Sequence, residues 1–260
     1  MTSVSETRAQ ARPSTIFVRY GTFLFRYRDG VFLIVMLALV IATAPRWPGG
    51  SDRLDDVLDL FGIVIASLGQ ILRAAVIGYA YIVRGGKNKR VYAAELVTGG
   101  FFAHARNPLY LGNLLVILGL LTIWNNPIAY VVGIAFYVSG YAAIVAAEEE
   151  FLLGKFGSEY EEYRARTPRW MIRLAGLRRT MGEMTYQWRR VIRKEYGSTA
   201  AWMLGAGVLL LGDSLYYQPW GARPAYHTAI VVSMAIVAVL WASARYLKKT
   251  GRLRDQPSPA

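Results

Sequence analysis

Apolar residues in this chain come in long blocks, and the charged residues fall almost entirely between them. Six blocks can be placed, near residues 31–45, 57–83, 109–124, 127–147, 200–217 and 225–246. A hydrocarbon core about 30 Å thick is crossed by roughly 20 residues of helix. Most of the blocks meet that length, and the first is short for it. The chain is 54% hydrophobic with a mean hydropathy of +0.28, which is more apolar than an ordinary soluble domain. The expected fold is all-α: a polytopic membrane helical bundle of about six transmembrane helices.

The net charge of +13 would point to nucleic acid in a soluble protein, but the positions of the charges exclude that partner. The N-terminal tail holds five Lys and Arg, the loop 84–106 five, the segment 155–194 eleven and the chain from Arg245 onward five. The remaining connections hold only Arg46, Arg53 and Arg223, and Arg73 lies inside a block. Rich and poor loops alternate. By the positive-inside bias this predicts six crossings with both termini in the cytoplasm, and the excess charge also attracts anionic lipid heads. Trp47, Trp124 and Trp220 are expected at the outer boundary, and Trp170 and Trp202 at the inner one. The N-terminus carries no cleavable signal pattern. Loop style and the absence of targeting signals point to a bacterial inner membrane.

Cysteine is absent, which excludes disulfides, thiolate metal sites and cysteine nucleophiles. Only His104 and His227 are present, so a histidine-rich metal site is not expected and no metal is assigned.

Organisation follows from punctuation. Asn125-Asn126-Pro127 turns a tight helical hairpin, with proline at the first helical position. Gly112 and Gly119 are seven apart, as are Gly133 and Gly140, giving small-residue stripes along which helices can approach in lipid. The fourth span is expected to run on into a cytoplasmic helix that Thr167-Pro168 stops. Residues 180–196 approximate an amphipathic helix on the inner membrane surface. The chain thus divides into a basic cytoplasmic tail (1–30), a membrane core of four spans with a cytoplasmic cap (31–175), an amphipathic interfacial helix (176–199), an additional transmembrane hairpin (200–246) and a polar tail (247–260).

Ionisable groups crowd against these spans in three places. The second span contains Gly69-Gln70-Ile71-Leu72-Arg73. The next block is Leu96-Val97-Thr98-Gly99-Gly100, followed by Arg106-Asn107-Pro108-Leu109-Tyr110-Leu111-Gly112. The third is Glu148-Glu149, Leu152, Phe156-Gly157, Tyr160, Tyr163, Arg166 and Pro168. A charge inside a span costs on the order of 3 kcal/mol on insertion scales, so Arg73 either snorkels or faces a polar pocket, with Gln70 one turn away.

Together these blocks resemble the isoprenylcysteine carboxyl methyltransferase family and its phospholipid N-methyltransferase relatives. That family shows Leu-Val-Thr-x-Gly, Arg-His-Pro-x-Tyr-x-Gly, Glu-Glu-x-x-Leu and Phe-Gly-x-x-Tyr-x-x-Tyr-x-x-Arg-x-Pro. The resemblance implies an integral membrane enzyme using S-adenosylmethionine, with a cofactor pocket at the cytoplasmic helix ends covered by the cytoplasmic helical segment. A lipid or lipid-like substrate would enter from the bilayer. It further implies cofactor contacts from Leu96, Val97, Thr98, Gly100, His104, Arg106, Asn107, Tyr110, Glu148 and Glu149. Substrate contacts are implied for Gln70, Arg73, Tyr163 and Arg166, and catalytic roles for Arg166, Glu149 and Arg73. The family histidine is Asn107 here. Asparagine still donates and accepts hydrogen bonds but does not titrate near neutral pH, so a general base at that position is excluded.

The residue types suit the chemistry. Arg106 would fork onto a carboxylate, the glutamates would hold an ammonium or ribose hydroxyls, and Tyr110 and Tyr163 would offer π-faces to a sulfonium. Each also has a plainer reading: Arg106 as a positive-inside anchor, the glutamates as a solvated helix end, Tyr160 and Tyr163 as interfacial anchors, His104 as a loop histidine. Asp213 and His227 lie near the outer face and read as structural. Two other functions stay open at this level. One is an NADPH-dependent membrane reductase of the sterol-reductase type. The other is a non-enzymatic transporter or scaffold, which would spread its polar residues at mid-bilayer depth.

Overall fold

The computed structural model describes residues 14–79, 93 and 95–253. The first part of the basic tail, the loop residues Arg84, Lys87, Lys89 and Arg90, and the end of the polar tail lie outside the described residues. Eight α-helices form the described chain: α1 (Thr15–Ala42), α2 (Asp52–Tyr79), α3 (Pro108–Trp124), α4 (Pro127–Phe156), α5 (Ser158–Arg166), α6 (Leu177–Gly182), α7 (Trp188–Tyr217) and α8 (Pro224–Lys249). Helices α2, α4, α7 and α8 are long and apolar enough to cross a membrane, and α3 is a shorter apolar helix. Helices satisfy their own backbone hydrogen bonds, which is the requirement lipid imposes.

Three helix pairs carry the bundle: α2 with α3, α1 with α4, and α7 with α8, with α7 also packing on α2 and α3. The glycine stripes explain the first two. A Cβ on Gly62 would lie 2.7 Å from the Gly119 carbonyl oxygen, and one on Gly69 would lie 2.5 Å from that of Gly112. The stripe of α3 therefore meets a matching heptad on α2. The stripe of α4 turns mainly to α1: Gly140 approaches Leu24 and Phe32, and Gly133 sits between Leu121 of α3 and Leu39 of α1. So α3 and α4, although joined by two residues, make their closest packing with other helices. Their link is as expected: Asn125 is left-handed (φ 43°), and Asn126 caps α4 by accepting from the Ile128 and Ala129 amides at 2.8 and 3.2 Å.

Two boundaries differ from expectation. Helix α1 starts at Thr15, capped by Ser14, rather than near residue 31. Its early turns are held by packing, since Leu24 and Phe25 are buried in a cluster with Tyr110, Tyr141, Ile144 and Val145. The amphipathic helix expected over 180–196 is not one element. Helix α6 ends at Gly182, and α7 runs unbroken from Trp188 through the expected start of the next span. The break arises where the chain docks on the end of α2: Gln187 donates its amide to the Gly78 carbonyl at 2.9 Å, and Tyr186 packs on Gly78. Helix α4 does run on to Phe156, turns at Gly157 (φ 52°) and continues as α5 to Arg166.

Two of the tryptophans expected at a boundary are held by protein contacts, whereas Trp220 is exposed. Trp124 is 7% exposed and donates to Thr43 Oγ1 at 2.9 Å. Trp202 donates to Gln70 Oε1 at 3.0 Å.

Candidate functional site

One end of the bundle holds a cavity of about 540 Å³, within the usual range for small-molecule sites. Its walls come from α1, the C-terminal half of α2, the start of α3, the end of α4 and the start of α7. Of the residues expected at a site, Gln70, Arg73, Arg106, Asn107, Tyr110 and Glu148 line it.

The stretch before α3 is shaped by its sequence. Pro108 opens α3, and Asn107 before it is held out of the helical conformation, with φ −132° and ψ 49°. Two straps hold this stretch to the segment after α5: the Arg106 amide donates to the Pro168 carbonyl at 2.8 Å, and Asn107 Nδ2 donates to the Arg169 carbonyl at 3.3 Å. Arg106 is only 3% exposed. Its Nη1 lies 3.1 Å from Glu149 Oε1, and Glu149 Oε2 lies 3.1 Å from Arg169 Nη2. Glu149 therefore stands behind the wall and holds two arginines. Arg106 Nε and Nη1 are nonetheless buried without a hydrogen-bond acceptor in proper alignment. Next to them, Tyr110 donates its hydroxyl to Glu148 Oε1 at 2.7 Å and accepts from Arg28 Nη1 at 3.2 Å.

On the opposite wall, Arg73 forks onto Glu195 of α7, with Nε to Oε2 and Nη2 to Oε1 both at 2.7 Å. Its Nη1 donates to Asn113 Oδ1. Gln70 Nε2 donates to the same Glu195 at 3.1 Å. This pair is well sheltered, with side chains 15% and 5% exposed. Arg73 thus reaches a partner inside the bundle and does not snorkel.

Other expected residues build the site without lining it. His104 is buried, with Nδ1 2.8 Å from the Arg173 carbonyl and Nε2 3.0 Å from Thr180 Oγ1. Tyr163 donates to the Phe102 carbonyl at 2.7 Å and packs beside Tyr160 and Leu152. Leu96, Val97, Thr98 and Gly100 lie on the connection leading into this loop, outside the cavity lining. Arg166 is exposed at the end of α5, where its Nε donates to its own helix at Glu162; the structure does not bring it to the cavity. Asp213 and His227 sit at the far end of the bundle, His227 fully buried against Ser214 Oγ at 2.9 Å.

Sequence reasoning missed Arg28, Asn113, Tyr141, Arg190, Lys194 and Glu195, all of which line the cavity. Asn113 carried a readable signal, a lone amide in an apolar block. Arg28 was hidden in what read as a tail. The α7 residues sit far along the chain and only tertiary packing delivers them.

The phospholipid methyltransferase family profile matches residues 60–159. The chain is 30% identical over 213 residues to the cobalt-zinc-cadmium resistance protein CzcN of Cupriavidus metallidurans, covering 80% of this chain and 91% of that protein. It is 29% identical over 106 residues to the protein-S-isoprenylcysteine O-methyltransferase of Schizosaccharomyces pombe, covering 39% and 44% of the two chains. It is 30% identical over 113 residues to protein-S-isoprenylcysteine O-methyltransferase B of Arabidopsis thaliana, covering 42% and 56%. No solved structure matches the chain. The matched stretch contains α3, α4 and most of α2, the elements that supply Arg73, Arg106, Asn107, Tyr110 and Glu148 to one cavity, and the chain belongs to the isoprenylcysteine carboxyl methyltransferase and phospholipid methyltransferase family of integral membrane methyltransferases.

Proposed function

We propose that the cavity binds S-adenosylmethionine and that the chain methylates a lipid or lipid-like acceptor at the cytoplasmic membrane face. The observation that carries this reading is Arg106. It is a guanidinium almost fully withdrawn from solvent, on a cavity wall, whose Nη1 lies 3.1 Å from Glu149 Oε1 while its Nε has no acceptor. A buried unsatisfied donor costs about 1–3 kcal/mol, more when charged, and a carboxylate-bearing ligand relieves that cost by accepting from Nε. The residues around it fit the rest of such a ligand. Glu148 supplies negative charge for an ammonium or hydroxyls, and Tyr110 and Tyr141 supply the aromatic surroundings a sulfonium favours. When bound, the cofactor supplies an electrophilic methyl group. The protein then needs chiefly to position the two partners and exclude water.

The residues divide by role. Arg106, Asn107, Tyr110 and Glu148 form the cofactor wall. Glu149 is a positioning residue that sets Arg106 between itself and Arg169. Arg73, Gln70 and Glu195 form a polar anchor at the acceptor end, and Phe32, Met36, Ile77 and Ile117 provide apolar lining for an acyl or prenyl chain. Arg166, exposed and turned to its own helix, has no part in this assignment. The six arginines from Arg164 to Arg179, on the stretch strapped to Arg106 and Asn107, fit a cytoplasmic opening and cytoplasmic termini, in a bacterial inner membrane.

The test is ligand-dependent thermal unfolding of the purified full chain with S-adenosylhomocysteine and, separately, NADPH. At about 100 times its Kd, S-adenosylhomocysteine should stabilise the protein by about 2.7 kcal/mol. Arg106→Ala and Glu148→Gln should lose the effect. Stabilisation by NADPH alone would instead assign the cavity to a reductase. Methyl-labelled cofactor supplied to membranes containing the wild type or Glu148→Gln should then mark the acceptor by lipid and metabolite profiling.

A further inference from the structure

A second polar cluster lies at the other end of the bundle. Asp55 and Asp59 occupy successive turns of α2, and Asp213 stands near the end of α7. The distance from Asp59 along α2 to Gln70 at the cavity is about 16 Å at the helical rise. One carboxylate oxygen from each of the three lies within 4.8 Å of the other two. All are buried, at 2%, 5% and 2% exposure.

Their partners account for only part of this chemistry. Trp47 Nε1 donates to Asp213 Oδ2 at 3.1 Å, and Tyr226 donates its hydroxyl to Asp59 Oδ2 at 3.3 Å. Oδ1 of Asp55, of Asp59 and of Asp213 is buried and accepts nothing. The nearby cation bonds elsewhere and reaches Asp59 and Asp213 only through space: Arg223 gives Nη2 to both oxygens of Asp56, at 3.0 and 2.7 Å. Among the described residues no lysine or arginine forms an ion pair with Asp55, Asp59 or Asp213. Asp55 and Asp213 also meet through a carboxyl–carboxyl hydrogen bond; three sheltered carboxyls this close must be neutralised by a cation or by protons, because burying unpaired anions is strongly unfavourable.

We propose that Asp55, Asp59 and Asp213 bind one divalent cation. The donor set is oxygen only, with no histidine or thiolate, which suits hard cations such as Mn²⁺, Mg²⁺ or Ca²⁺, with water completing the shell. Two ligands come from α2 and one from α7. The ion therefore clamps the C-terminal hairpin onto the core, and α7 is the helix whose other end brings Glu195 to the cavity. The site is independent of the methyltransferase reading, since no cavity residue belongs to it.

The probe is Mn²⁺. Purified full-length protein is stripped with chelator, dialysed and titrated with MnCl₂, with free Mn²⁺ read by electron paramagnetic resonance and thermal unfolding followed by tryptophan fluorescence. The expected result is one saturable Mn²⁺ per chain and a melting temperature that rises with Mn²⁺. Asp59→Asn and Asp213→Asn should weaken binding by at least about tenfold, the smallest loss typical of damage even to a ligand's supporting partner. Asp56→Asn, which alters only the carboxylate paired with Arg223, should bind Mn²⁺ as the wild type does. Folded wild-type protein that takes up no saturable Mn²⁺ overturns the proposal, and that result does not depend on whether the variants fold. Equal binding by the wild type, Asp59→Asn and Asp213→Asn also overturns it. Wild type without Mn²⁺ binding, together with asparagine variants that melt higher, would identify shared protons as the neutralising charge.

Discussion

Glu195→Ala should be the most damaging single change at the cavity wall. Arg73 spends two N–H groups on this carboxylate at 2.7 Å, and Gln70 spends a third donor on it at 3.1 Å. With Arg73 15% and Glu195 5% exposed, solvent cannot replace the lost partner. Removing one member of a buried ion pair costs about 3–5 kcal/mol, because the other charge is left uncompensated. At about 2–4 °C per kcal/mol for a chain near this size, the melting temperature should fall by about 6–20 °C. Removing both charges is a different experiment. Arg73→Met with Glu195→Leu deletes the desolvation penalty along with the attraction, and such replacements of buried pairs are often neutral or stabilising. The double variant should therefore recover most of the stability that Glu195→Ala loses. The assay is a double-mutant cycle by thermal unfolding of the purified protein, followed by tryptophan fluorescence. A shift of less than about 2 °C for Glu195→Ala would show the pair to be solvated like a surface bridge and would refute the reasoning. So would a double variant as unstable as the sum of its singles.

Other outcomes follow from the packing. In Gly119→Val the new Cβ meets the Ala66 nitrogen and Cβ at 2.7 and 2.8 Å. The change should cost about 1–3 kcal/mol by overpacking, whereas Gly154→Ala, with open space around it, should be neutral or stabilising in the same melt. His104→Ala removes both contacts to the Arg173–Thr180 segment; amide hydrogen exchange should rise across 173–180 while α2 and α3 stay protected. Arg166→Ala should leave stability and S-adenosylhomocysteine binding near wild type, since its Nε bonds only within α5. A large loss of binding in that variant would restore the role implied by the family pattern.

Much of the bundle is legible along the chain because lipid imposes a simple rule on a segment, and a segment obeys it locally. The apolar blocks mark helices, Asn125-Asn126-Pro127 marks the link between α3 and α4, and Arg106-Asn107-Pro108 marks the start of α3 at the cavity. Boundaries fail where tertiary contact decides them. Leu24 and Phe25 extend α1 back to Thr15 by packing on α4, and the docking of Tyr186 and Gln187 on Gly78 divides what periodicity reads as one helix. Spacing also misleads at α5. Tyr163 and Arg166 lie three apart, yet Tyr163 is 3% exposed against Phe102, while Arg166 falls at the last residue, past the packed part of the helix.

Residue order determined a helical membrane protein, its charge asymmetry and the family motif, because each rests on neighbours within a few turns. Which helix faces which was decided only in three dimensions: Gly62 against Gly119, Arg73 against Glu195, and two aspartates of α2 against one of α7. A buried charge or a missing side chain shows its need in the sequence, but the group that meets that need comes from wherever close packing brings the chain back.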